Sequence, residues 1–322
     1  MTHPSPTPAD AELPGVPATD LQPCETADAA FARANDLYEE GLARTAEAFN
    51  AYADGTLPGD ADAATYPYIC VEIDAANSTQ TSSLAFGKIP HTSLHGSSIS
   101  APGLMKDYLL EQLEYCLKKL QARVFVGRSL TPIPLTFAME RAAAQLTPER
   151  RRDLQLYFHL PNLAETSDDI VDGGSILKRD GPLPLTLFPA NRMDYSLHRL
   201  RHYTATDPEH FQRFVLFTNY QRYVDEFVEF GRDQVRKGAY DRFVEPGNRI
   251  SEDGGEPAEP PLQKLPQMPA YHLVLGERMG ITLVNIGIGP SNAKTATDHL
   301  AVLRPHVWLM VGHCGGLRRT QR

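Results

Sequence analysis

Apolar side chains recur every three or four positions from Thr26, at Phe31, Ala34, Leu37, Tyr38, Leu42, Ala46, Phe49 and Tyr52, with Glu39, Glu40, Arg44 and Glu47 mostly between them. That period predicts an amphipathic helix stopped by Gly55. The period then falls to two. Ile69, Val71 and Ile73 alternate within YPYICVEID (66–74), as a half-buried strand requires, and SLAFGKI (83–89) reads as a second extended segment. A second helix, opened by Ala101-Pro102-Gly103, carries Leu109, Leu113, Cys116, Leu117 and Leu120 as its inner stripe, and RVFV (123–126) and IPLTFAM (133–139) read as further strands. Residues 26–190 therefore predict one α+β domain. Residues 1–25 carry repeated proline and almost no large apolar side chain, which predicts a disordered lead-in.

Residues 191–322 follow a different grammar. FVLF (214–217) predicts a short buried strand, followed from Tyr220 by a helix whose inner stripe is Tyr223, Val224, Phe227 and Val228. HLVL (272–275) and ITLVNI (281–286) flank the turn 276–280 as a hairpin. Gly287-Ile288-Gly289-Pro290-Ser291-Asn292 then leads into a helix over 292–303, closed by Arg304-Pro305, and VWLMV (307–311) reads as a buried strand ending in GHCGG (312–316). Strand, glycine turn, helix, strand, glycine turn predicts an α/β sheet with ligands at the carboxyl ends of its strands. Residues 238–269 hold Pro246, Pro257, Pro260, Pro261, Pro266 and Pro269, which predicts a mobile surface loop with the character of a lid.

Composition narrows the partners. With 31 Lys and Arg against 40 Asp and Glu, the net charge of −9 argues against nucleic acid or an anionic membrane as a generic ligand. No apolar run reaches the roughly 18 residues that span a bilayer, and residues 1–20 lack a basic and then apolar leader, so a soluble cytoplasmic protein is expected. Cys24, Cys70, Cys116 and Cys314 are scattered without a CxxC pair, which predicts reduced thiols and no zinc site.

Two features invite chemistry. Arg192, His198, Arg199, Arg201, His202 and Arg213 fall within 22 residues. They read either as a solvated charged face or as guanidinium groups fixed for a phosphate. Asp194 and Tyr195 as local acceptors, with Thr206-Asp207-Pro208-Glu209 as a capping box, favour the second. The run GIGPSNA offers only part of a dinucleotide fingerprint, because Asn292 stands where a third glycine belongs. Small residues there suit either a tight strand-to-helix turn or backbone amides that approach an anion or sugar. The second turn, GHCGG, would lie beside the same crevice. Cys314 as a nucleophile would have only His313 nearby as a base, and a small residue packed under the turn is the commoner case.

The runs GITLVNIGIGPSNAKTATDHLAVLRPHVWLMVGHCGGLR and RMDYSLHRLRHYTATDPEHFQRFVLFTNYQRYVDEF resemble the bacterial AMP nucleosidase family, over about residues 30–318. The resemblance implies a nucleoside-phosphorylase-like mixed-sheet catalytic domain behind an α+β N-terminal domain. Its implied reaction takes AMP and water to adenine and ribose 5-phosphate, in purine salvage, with no cofactor for the chemistry. It further implies MgATP as an allosteric activator, phosphate as an inhibitor, and a homo-oligomer, commonly a hexamer, with no nucleic-acid or membrane partner. The substrate-binding candidates are Arg192, Arg199, Arg201, Asn219, Arg222, Gly287, Gly289, Ser291, Asn292, His313, Cys314, Gly315 and Gly316. Phosphorolytic relatives carry an arginine and a serine or threonine where this chain has Met310 and His313, and a Gly-Asp-Pro turn where it has Thr218, Asn219 and Tyr220. Losing that arginine removes charged hydrogen bonds worth about 1.5–3 kcal/mol each, which leaves water as the nucleophile. The later arginine of that turn persists as Arg222, read either as a phosphate ligand or as a structural partner of Asp225 or Glu226.

Cleavage through an oxocarbenium-like transition state needs an acid for the departing adenine and a grip on the ribose. The family elements that supply them are not visible before Arg322, so the general acid is expected beyond it and the catalytic residues stay unassigned. Three readings remain: an AMP nucleosidase whose chain is truncated, a purine nucleoside phosphorylase, and a non-catalytic nucleotide-binding or assembly module. A truncated sheet would leave an unpaired edge at VWLMV. The 322-residue polypeptide on its own is expected to release little or no adenine from AMP in a chromatographic assay; release at an ordinary enzymatic turnover would overturn this.

Overall fold

The computed structural model describes residues 13–56, 64–73, 93–139, 146–166 and 181–313. The expected strand at 83–89 lies outside the described residues. The chain divides into two compact units between Tyr195 and Ser196, a cut that falls inside helix α5 (Ala190–Thr204). A mixed-sheet α/β unit following an α+β unit is the class expected.

The first unit is built on a five-stranded sheet of β1 (Ala18–Cys24), β2 (Thr65–Ile73), β3 (Ser93–Ser98), β4 (Arg123–Pro132) and β5 (Leu183–Pro184), in the order β1-β4-β2-β3-β5. Its pairings are antiparallel except for β3 with β5. Helix α1 (Ala27–Asp54) is the helix expected. Thr26 caps it by accepting the Ala29 N–H at 3.1 Å, and Gly55, at φ 100°, donates back to Ala51 and Tyr52. Ala30, Ala34, Leu37, Tyr38, Phe49 and Tyr52 form its buried stripe. Helix α2 (Lys106–Lys118) buries Leu109, Leu113 and Cys116 as expected.

Two expectations for this unit are corrected. The end of the lead-in is ordered: β1 pairs with β4 and buries Leu21 against Tyr68, Cys70 and Phe125. Its kink at Asp20 is clamped from α1, where Arg33 donates to the Asp20 carbonyl at 2.9 Å and its carboxylate at 2.8 Å, and to the Val126 carbonyl at 2.9 Å. Opposite the kink, a Cβ on Gly127 would stand 2.4 Å from the Thr19 carbonyl, so only glycine admits this edge strand. The segment 133–139 is not a strand. Pro132 and Pro134 cannot donate to a ladder, and the chain turns into the short helix α3 (Leu135–Ala138). Helix α4 (Pro148–Asp153) follows, with Thr147 as its cap.

The second unit is a six-stranded mixed sheet. Strands β6 (Phe214–Thr218), β7 (Arg242–Glu245), β8 (Arg249–Ser251), β9 (Ala270–Val274), β10 (Ile281–Asn285) and β11 (Val307–Met310) run in the order β11-β6-β10-β9-β7-β8. β11, β6 and β10 are mutually parallel; the remaining pairings are antiparallel. Helix α6 (Gln221–Arg236) lays Val224, Phe227 and Val235 on Phe243, Tyr271, Leu273 and Leu283. Helix α7 (Pro290–Leu300) connects β10 to β11.

Three expectations fall here. The proline-rich stretch 238–269 contains the hairpin β7–β8 rather than a continuous mobile loop. Glu245 at its base is buried, accepts from Arg249 at 2.6 Å and binds Arg232 of α6, while Asn248 in its turn exchanges two 2.8 Å bonds with Asp207. VWLMV is not buried: Val307, Trp308, Leu309 and Met310 are 41–56% exposed, because β11 lies at the sheet edge with no strand on its outer side among the described residues. The capping box at 206–209 does not form. Pro208–His210 is a single 3-10 turn without a side-chain cap, and Thr206 is engaged elsewhere.

That engagement fixes the sheet. His272 of β9 is fully buried, with Nδ1 2.9 Å from Thr282 Oγ1 and Nε2 2.9 Å from Thr206 Oγ1. Thr204 gives its proton to the Leu200 carbonyl and so accepts from Thr206, which leaves Thr206 Oγ1 to accept the Nε2 proton and Nδ1 to accept from Thr282. Every polar atom of the chain is satisfied with a neutral ring. Burial, assisted by His210 and Arg278, pushes the His272 value well below the usual 6.5. In the first unit Asp194 has the opposite problem. It is buried, accepts from Tyr66 at 2.6 Å and from Ser100, and burial outweighs those bonds to raise its carboxyl to about 6.

The signs differ. A depressed histidine is unprotonated when folded and takes up a proton on unfolding, so its contribution is present above about pH 6.5 and lost below it at about 1.4 kcal/mol per unit. A raised carboxyl contributes most below its unfolded value near 4 and loses that contribution as pH rises through 6. Relative to His272→Gln, the wild type is expected to lose stability between pH 6.5 and 5.5 in urea denaturation; relative to Asp194→Asn, it is expected to gain it. Parallel pH profiles for wild type and variants would contradict the two burial arguments.

Candidate functional site

Parallel pairing sets three carboxyl ends side by side. β6 lies between β10 and β11, with Thr218 opposite Asn285 and Phe217 opposite Met310. The Ile286 N–H continues the ladder to the Thr218 carbonyl at 2.8 Å, and the Val311 N–H does so to Phe217 at 2.8 Å. The residues that leave the sheet there are Asn219 and Tyr220, the turn Gly287 to Gly289, and Gly312 with His313. This is the crevice end of an α/β sheet.

The turn after β10 leads into α7 through backbone that side-chain-bearing residues avoid: Gly287 has φ 62° and Gly289 φ 119° with ψ 148°. Asn292 closes it, donating to the Ile286 carbonyl at 2.9 Å and accepting from Gln267 at 3.0 Å. Both ends of its amide are therefore engaged in holding the turn. Ser291 is exposed in the first turn of α7, where unsatisfied amides and the helix dipole favour an anion.

After β6, Arg222 occupies the first turn of α6, exposed. The structural pairing considered for it is not formed: it makes no ion pair among the described residues, and Gln221 donates to Asp225 at 2.9 Å. His313 packs edge-on to Tyr220, with centroids 5.1 Å apart, and lies 6.0 Å from Tyr223. Sequence reading missed this ring cluster, because Tyr220 and Tyr223 open the helix after β6 while His313 follows β11, far along the chain. Asn219 Oδ1 is buried without a donor among the described residues. Cys314, Gly315 and Gly316 lie outside the described residues.

The arginines of α5 do not form one cluster. Arg192 is buried in the first unit with its guanidinium 5.6 Å from the Phe188 ring. Arg201 binds Asp207 at 2.6 Å. Arg199 lies 4.4 Å over the Tyr203 ring and bonds its hydroxyl, while its buried Nε has no acceptor. Asp194, expected as a local acceptor for them, accepts from Tyr66 and Ser100 instead. Side chains that adjoin in sequence fan out around a helix, and each of these meets a different neighbour. Arg199 has a link to the strand ends: it bonds Tyr203, whose carbonyl accepts from Met268, whose neighbour Gln267 holds Asn292. Among the described residues no helix is long and apolar enough to cross a membrane.

Residues 29–182 match the family described as bacterial AMP nucleoside phosphorylase N-terminus. The chain is 41% identical over 297 residues to AMP nucleosidase of Escherichia coli (strain K12), covering 88% of this chain and 61% of that one, and it matches the protein of Escherichia coli O157:H7 with the same figures. It thus spans about three-fifths of the length of these curated relatives. The crystal structure of AMP nucleosidase from Bacteroides thetaiotaomicron VPI-5482 is 25% identical, with 39% of this chain and 41% of that chain covered and a TM-score of 0.26.

A Cβ at position 289 would meet nothing within 4 Å, so a substitution there reports backbone strain alone. Gly289→Ala is expected to cost about 1–3 kcal/mol, whereas Gly276→Ala, equally uncrowded and without a positive φ, is expected to stay within about 0.5 kcal/mol. Denaturant midpoints measure both; equal costs would mean that the turn is not held in this conformation.

Proposed function

We propose that the chain is a member of the AMP nucleosidase family, from the match of residues 29–182 to bacterial AMP nucleoside phosphorylase N-terminus, and that it binds AMP at the carboxyl ends of β6, β10 and β11 as part of a protein that hydrolyses it. The observation that carries this reading is the 41% identity to AMP nucleosidase along 88% of the chain. The reaction adds water across the N-glycosidic bond: the bond from the anomeric carbon to adenine breaks, water oxygen bonds that carbon, and the proton goes to the departing base.

The geometry supports distinct roles. Arg222, without an ion pair among the described residues, and the start of α7 offer positive potential to a phosphate, with Ser291 and the glycine turn 287–289 allowing backbone approach. To Asn219 and His313, which leave the sheet at neighbouring strand ends, we assign the sugar and the attacking water. Met310 at the end of β11 is uncharged and offers no fork to an attacking phosphate, which favours hydrolysis over phosphorolysis. Arg199, whose Nε has no acceptor among the described residues, is the α5 residue best suited to join the site; Arg201 and the unplaced Cys314, Gly315 and Gly316 are weaker members, and Arg192 belongs to the first unit. On family resemblance we extend the proposal to a cytoplasmic homo-oligomer, commonly a hexamer, inhibited by phosphate and activated by MgATP.

Calorimetric titration tests the assignment. Arg222→Met is expected to weaken AMP binding about 10- to 100-fold, from the loss of charged hydrogen bonds, and to leave adenosine binding within about twofold. An unchanged affinity for AMP would remove Arg222 from the site. Any cleavage should give ribose 5-phosphate whether or not phosphate is present; ribose 1,5-bisphosphate that rises with phosphate would favour the phosphorylase reading.

A further inference from the structure

Asn219 leaves the middle strand of the parallel trio, between the glycine turn after β10 and Gly312 after β11. Its Oδ1 has lost its water and has gained no donor among the described residues. Folded proteins seldom tolerate this, because a buried carbonyl forfeits its hydration without return. Asn292, across the same end of the sheet, has both amide atoms bonded. The space beside Asn219 is kept open by Gly312: a Cβ there would lie 3.6 Å from the oxygen and 3.3 Å from the Tyr220 ring.

We propose that Asn219 Oδ1 is the specificity-determining acceptor for a neutral hydrogen-bond donor of the bound nucleotide, either a ribose hydroxyl or the adenine amino group. A carbonyl oxygen offers only lone pairs, as do phosphate oxygens, so it does not face the phosphate; that role falls to Arg222 and the amides of α7. A donor group of the ligand satisfies the oxygen, and an analogue without that group leaves it buried and bare, which is how a polar site rejects an analogue that lacks the matching group. The inference rests on the AMP reading above.

The test measures dissociation constants of the 322-residue chain for AMP, 2′-deoxy-AMP, 3′-deoxy-AMP and IMP, in the wild type and in Asn219→Leu, which keeps the shape and removes the acceptor. The wild type should prefer AMP over one or more of the three analogues, and the leucine variant should lose that preference for one of them by about three- to tenfold while keeping any others. The analogue concerned identifies the donor as the 2′-hydroxyl, the 3′-hydroxyl or the amino group. Asn219→Ala gives the same readout should the leucine variant misfold, and Asn219→Asp, which retains an acceptor, should keep the preference. If Asn219→Leu and Asn219→Ala preserve every preference of the wild type, the proposal is wrong while the AMP reading stands. A wild type that binds none of the four nucleotides overturns both together.

Discussion

The parallel ladder that seats β6 between β10 and β11 is the constraint from which the rest of the second unit follows. Its register puts Val215 and Phe217 of β6 into the core and stops all three strands at one level. Side chains alternate with a period of two, so a slip by one residue would turn the buried set outward. The same slip would carry Asn219 away from the two glycine turns that flank it. The geometry of the candidate site and core packing are therefore specified by a single set of backbone hydrogen bonds, and hydrophobic burial, the larger energy, enforces the alignment of the three strand ends.

Buried polar groups tie the parts of each unit together by different means. In the second unit a neutral histidine bridges two threonines, joining the end of α5 to β9 and β10. A few residues away, buried Glu245 is met by two arginines, from α6 and β8. The neutral chain holds its order without long-range charge; the ionic one depends on each partner, since removing either cation leaves a desolvated carboxylate. Asp194 in the first unit is a third case, a carboxyl supported by two hydroxyls, Tyr66 and Ser100.

What could be read from the amino-acid sequence was the part written locally. Helix α1 announces itself through a sustained period between Thr26 and Gly55, and the strand-turn-helix run from Ile281 to Leu303 through its glycines. β1 was invisible because one inward leucine, Leu21, sits among polar residues and prolines, and its stability comes from Arg33 and from the absence of a side chain at Gly127. The His272 chain draws on positions 204, 206, 272 and 282, which no window of sequence unites. VWLMV shows the converse failure: four apolar residues look alike whether a strand is central or marginal, and only sheet order distinguishes them. Around the candidate site, the glycine turn at Gly287 and Gly289 was legible from its motif, whereas the ring cluster of Tyr220, Tyr223 and His313 and the unmatched oxygen of Asn219 required strand order to emerge.

The marginal strand carries one more consequence. Trp308 is the single tryptophan of the chain, and it sits on β11 with 41% of its surface open to water. All indole emission from this protein therefore originates at the outermost rung of the sheet, next to the crevice. A blue shift or a loss of quenching by iodide would announce, without any label, that something had come to rest against that rung.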